Sequence, residues 1–101
     1  IKPNWNFGPN TINCRTVIHV VKEVISCWGE EKKINIIKNK QFKEANLLMI
    51  SNHKAKKELA WSPTLNFKET IKMTVDWYKN CFFENNAEEI TRQQIEYFSR
   101  K

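Results

Sequence analysis

Glycine is scarce in this chain, with Gly8 and Gly29 the only two. A dinucleotide-binding turn of the G-x-G-x-x-G kind needs three closely spaced glycines, so this chain cannot build one. Arginine is scarce as well, three residues among 17 cations, which leaves little for bidentate reading of bases. Cys14, Cys27 and Cys81 are odd in number and contain no C-x-x-C pair. That pattern argues against a disulfide frame or a zinc knuckle, and it fits reduced thiols in a cytoplasmic protein. Neither His19 nor His53 has another histidine or a cysteine one helical turn away, so no metal site is expected. No apolar run approaches the ~20 residues of a membrane-spanning helix, and no membrane association is expected.

What is present is charge and helical pattern. The formal net charge is +6, from 17 Lys and Arg against 11 Asp and Glu. Such a balance suits nucleic acid, an anionic surface or a phosphorylated small ligand, or simply solvated lysine-rich helix faces. At 101 residues the expectation is one domain, 1–101, and a start at Ile1 rather than Met points to a piece of a longer chain.

Trp5-Asn6-Phe7 alternates before a Gly8-Pro9-Asn10 turn, which predicts a short strand and its exit. Val17, Val20, Val21, Val24, Ile25 and Trp28 then form one helical stripe, with Thr16 as N-cap and Gly29 as the left-handed terminator. Ile34-Asn35-Ile36-Ile37 predicts a second strand, parallel to the first across the helix. A polar, basic loop over 38–46 follows, and Leu47–Ile50 is a third strand or the entry to a helix. Ser51 caps a helix ending near Leu59, and Pro63 forbids its continuation.

Asn66-x-x-Glu69 has capping-box form ahead of a helix placing Phe67, Ile71, Thr74, Tyr78 and Phe82 on one side, widened by Val75 and Trp77. After a polar break over 84–89, Thr91-x-x-Gln94 repeats the capping form before Ile95 and Phe98. The expected class is α+β, a small, partly parallel sheet of two or three short strands with about four helices.

Several of these pieces, in this order, resemble the C-terminal lobe of the extended short-chain dehydrogenase/reductases that act on nucleotide sugars. Asn6-Phe7-Gly8-Pro9 resembles a strand end of the CDP-glucose 4,6-dehydratase family, and Thr16-Val17 through Trp28-Gly29 resembles its next helix. Glu44-Ala45, the segment from Lys54 to Leu59-Ala60-Trp61-Ser62-Pro63, Thr74-Val75-Asp76-Trp77-Tyr78 and Thr91 to Ile95 continue the likeness along nearly the whole chain. There are departures. Ser51 stands where Asp is usual, His53 where Ser is common, Ala60 where the family has Gly, and Lys43 where it has His. Lobes of dTDP-glucose dehydratases and UDP-sugar epimerases are the alternatives within the superfamily.

The resemblance implies a lobe that binds a nucleotide sugar, with a CDP-hexose as the expected ligand. The parent enzyme would be a homodimer that uses NAD in a preceding Rossmann domain absent from this chain. No catalytic or cofactor-binding residue is expected here; Tyr97 and Lys101 have the Tyr-x-x-x-Lys spacing but lie at the chain end. The candidate substrate contacts are Arg15, Thr16, Lys43 and Glu44. Arg15 and Thr16 precede a helix whose free N–H groups suit phosphate, although Thr16 is equally a cap. Lys43 lies in the loop where relatives approach the diphosphate, and Glu44 would orient a sugar hydroxyl or pair with a lysine. The rival from another class is a small basic nucleic-acid- or protein-binding module, whose aromatics should be exposed and interleaved with cations.

Overall fold

The structure is a computed structural model and describes residues 3–29 and 49–101. In chain order it contains a 3-10 turn at Thr11–Asn13 and four helices: α1 (Val17–Trp28), α2 (His53–Leu59), α3 (Phe67–Phe83) and α4 (Ala87–Ser99). The expected α+β class is overturned, because the described residues hold helices and no strand.

The correction is sharpest at Trp5–Phe7. This segment has no regular structure, and it and its flanking residues meet the side chains of α2 and its N-cap instead of a neighbouring strand. Lys54 Nζ donates to Asn4 O at 2.7 Å, and Asn52 Nδ2 donates to Gly8 O at 2.9 Å. The Trp5 indole donates to Glu58 Oε2 at 3.2 Å, and Lys56 reaches Asn10 Oδ1. Three alternating residues closed off by Gly8-Pro9 are too few to specify a ladder once other partners are at hand. Gly8 permits the approach, since a Cβ there would stand 3.2 Å from Ile50 O. The second expected strand, Ile34–Ile37, lies outside the described residues, as do Leu47 and Leu48 of the third; Met49 and Ile50 have no regular structure.

The boundaries of α1 follow the sequence signals. Thr16 accepts from the His19 N–H at 3.4 Å, and Gly29, at φ 86°, sends its N–H back to Ile25 O. α3 begins with the expected capping box, Asn66 Oδ1 taking the Glu69 N–H at 2.8 Å and Glu69 Oε1 taking the Asn66 N–H at 3.1 Å. Asn13, from the 3-10 turn, accepts the Phe67 N–H at 3.2 Å and so satisfies another free donor of that helix. α2 ends on Ala60, which is left-handed at φ 52°. Ser51 accepts from the His53 N–H at 3.4 Å, one residue ahead of the N-cap Asn52.

α4 starts earlier than Thr91-x-x-Gln94 suggests. Ala87, Glu88 and Glu89 already form its first turn, with both carboxylates favourably placed at the positive end of the helix dipole. Thr91 is therefore interior, and its hydroxyl donates to Ala87 O at 2.6 Å. The polar break shortens to Glu84–Asn86, where Asn85 takes φ 49°.

α3 is the central helix, with α1 and α4 both packed on it. Contacts between α3 and α4 run in reverse order (Trp77 to Thr91, Met73 to Gln94, Glu69 to Lys101), so the two are antiparallel. Among the described residues, Ala55 and Val75 are the fully buried hydrophobics. Burial of a valine side chain contributes ~1.5–3 kcal/mol, so Val75 anchors the three-helix layer. On α3 the inward line runs through half-buried Phe67 and Ile71, buried Val75 and half-buried Lys79, while Thr74, Tyr78 and Phe82 of the expected stripe face outward. Lys79 reaches across to α1, donating to Trp28 O at 2.8 Å with its ammonium 5.7 Å from the indole ring centre.

A thin layer leaves apolar side chains in solvent. Phe82 is 74% exposed, Phe83 66% and Ile95 61%. No helix among the described residues is long and apolar enough to cross a membrane.

Candidate functional site

Two cavities share one wall near the start of α3. The first, about 480 Å³, lies between the opening turns of α1 and α3. Arg15, His19, Lys22 and Glu23 line it from the α1 side, and Lys68 from α3. Asn13, Asn66 and Phe67 close it. Three cations against one carboxylate, beside two helix N-termini, make this cleft electropositive and suited to an anion.

Arg15 is held in place by its neighbours. One guanidinium nitrogen donates to Ile12 O at 2.7 Å and to Cys14 O at 2.9 Å, and the group lies 5.1 Å from the Phe67 ring centre. Its other N–H groups have no partner among the described residues, so the fork is fixed on one side and available on the other. Thr16 is different. Its hydroxyl oxygen takes the His19 N–H and lies 3.2 Å from His19 Nδ1, so its side chain acts as the cap. Lys43 and Glu44 lie outside the described residues.

His19, Lys22 and Lys68 were not singled out by the sequence. His19 and Lys22 are three positions apart inside α1, the spacing of one helix face, and Arg15 precedes that face just ahead of the cap. Lys68 carries no such mark, because only folding brings the start of α3 to α1.

The second cavity, about 320 Å³, is aromatic. Phe7, Trp61, Phe67 and Phe98 line it together with Pro63 and Leu65. Phe7 meets Trp61 edge to face, with ring centres 5.1 Å apart. Asn13, Asn66 and Phe67 belong to both cavities.

On the far side of the α3–α4 seam, Lys101 pairs with Glu69, and its ammonium sits 5.4 Å from the Tyr97 ring centre. The hydrogen bond from Lys101, helped by the Asn66 N–H, holds the Glu69 carboxyl below the usual carboxylate range. Glu69 in turn raises the Lys101 ammonium. This lysine is thus occupied by a carboxylate and clips the end of α4 to the start of α3.

Among the described residues no three His, Cys, Asp or Glu side chains converge as metal ligands. Nor do the two glycines fit a dinucleotide: Gly8 is pressed against Ile50, and Gly29 closes the negative end of α1.

No family model matches the chain. A curated protein does: CDP-glucose 4,6-dehydratase of Salmonella typhimurium strain LT2, 31% identical over 75 residues. The similarity is to a nucleotide-sugar dehydratase. The matched stretch covers 74% of this chain and 21% of the Salmonella protein, so the chain spans about a fifth of that relative's length. No solved structure matches.

Proposed function

We propose that this chain is the substrate-side lobe of a nucleotide-sugar dehydratase of the CDP-glucose 4,6-dehydratase kind, and that it supplies phosphate contacts and cavity walls. The observation that carries this reading is the electropositive cleft at Arg15, which fits a diphosphate. The likeness to the Salmonella enzyme supports the substrate class. Arg15 is the principal anion contact, with Lys22 and Lys68 as point charges beside it. The backbone at Thr16 lies next to it, and Lys43 and Glu44 complete the contact set by resemblance. No residue of this chain has a catalytic role in this reading, and NAD is bound by a separate domain of the parent.

The rival module is less well supported. Lys79 is the cation within the aromatic run Trp77–Phe83, and it is engaged with Trp28 instead of standing free between exposed rings.

A titration with CDP and CDP-glucose, followed by backbone amide shifts, tests the proposal. Movement is expected at Arg15–Lys22 and Asn66–Lys68. Movement confined to residues 87–101 overturns it, as does a salt-dependent response to generic single-stranded DNA with none to CDP.

A further inference from the structure

The partition between the two cavities has a definite chemistry. Asn13 and Asn66 both direct their carboxamide oxygens to the start of α3, where they accept from the Phe67 and Glu69 N–H groups at 3.2 and 2.8 Å. What each side chain has left is its NH2 group, which has no partner among the described residues. A shared wall carrying two spare donors thus separates a cationic cleft from an aromatic groove. One kind of small molecule matches that sequence of surfaces: a flat ring, a polar sugar and a multiply charged phosphate in a row.

We infer that a nucleoside diphosphate sits astride this wall. Its phosphates lie in the cleft of Arg15, Lys22 and Lys68, its ribose crosses Asn13 and Asn66, and its base enters the groove between Trp61 and Phe98. The inference rests on the proposed function for the phosphate end and adds the seat of the base. A base stacked on aromatic side chains gains affinity whatever its identity, because every base has a π-face. The groove therefore supplies affinity, and the amide donors supply orientation. Arg15 links the halves physically, since its guanidinium lies over the Phe67 ring that both cavities share.

The test uses the full chain and three probes: inorganic pyrophosphate, cytidine and CDP. Pyrophosphate should shift amides at Arg15, His19, Lys22 and Lys68 only. Cytidine should shift Phe7, Trp61 and Phe98 together with Asn13 and Asn66 beneath its ribose, and leave Lys22 and Lys68 unmoved. CDP should shift both sets and bind about tenfold more tightly than pyrophosphate. Phe98→Ala should remove most of that tenfold advantage while leaving pyrophosphate affinity unchanged, which also reports that the variant is folded; Phe7→Ala serves if it is not. If pyrophosphate binds the cleft but CDP binds no tighter and leaves Trp61 unmoved, the seat of the base is wrong and the phosphate cleft stands. If neither anion shifts Arg15, both readings fall.

Discussion

The indole of Trp77 on α3 donates to the hydroxyl of Thr91 on α4 at 2.8 Å, while that hydroxyl donates onward to Ala87 O at 2.6 Å. One side chain therefore joins the two helices and secures the first turn of the second. Thr91→Val keeps the shape and removes both bonds. It should lower stability by about 1 kcal/mol, read as a drop in the denaturant midpoint. In a cycle with Trp77→Phe the two effects should be less than additive; full additivity would mean that the bond contributes nothing.

Ala60→Gly should stabilise the chain. Ala60 ends α2 at φ 52°, a conformation in which a Cβ costs about 1 kcal/mol and glycine is at ease. Part of that gain is offset by the greater freedom of glycine in the unfolded chain. A net rise of roughly half a kcal/mol in unfolding free energy is expected, and a fall would show that the strain is relieved elsewhere.

The Glu69–Lys101 clip sets a pH window. The Glu69 carboxyl is depressed in the folded chain, so its contribution is present above its unfolded value and is lost as pH falls through the lower folded one. The Lys101 ammonium is raised, so its contribution holds below its unfolded value and disappears as pH climbs past the folded one. Glu69→Gln preserves the capping box but not the charge. Melting temperatures of the variant and the parent sequence should differ at neutral pH and converge in acid below the usual carboxylate range. A gap that persists there would assign the effect to something other than ionisation.

Phe82, Phe83 and Ile95 stand largely in water, and the chain should self-associate as its concentration rises. Sedimentation velocity should show a weight-average mass that grows with loading, and Phe82→Lys should reduce that growth. A single monomeric species at high concentration in the parent sequence would count against the idea.

What the sequence revealed and what it hid divide along physical lines. Helix ends written by residues three or four apart were legible: Thr16 with His19, Asn66 with Glu69, and Gly29 alone through its backbone freedom. Thr91 misled because the capping motif is indistinguishable from a helix interior when Ala87–Glu89 already propagate the turn. Trp5–Phe7 misled because alternation over three residues describes any extended segment, and α2 provided its partners. Of the candidate contacts, Arg15 was named from its place before a helix, and it lines the cationic cleft. Lys68 was not, since nothing local announces that two helix starts will meet.

α1 carries no basic residue in its own last turn, yet the negative end of its dipole has an ammonium on it, supplied by Lys79 from the C-terminal half of α3. A helix that would otherwise fray alone is thereby tethered to the most central element of the molecule. Amides near Ile25 and Trp28 should exchange with solvent at the pace of α3 and not at that of an isolated terminus, so the two helices open as one cooperative unit.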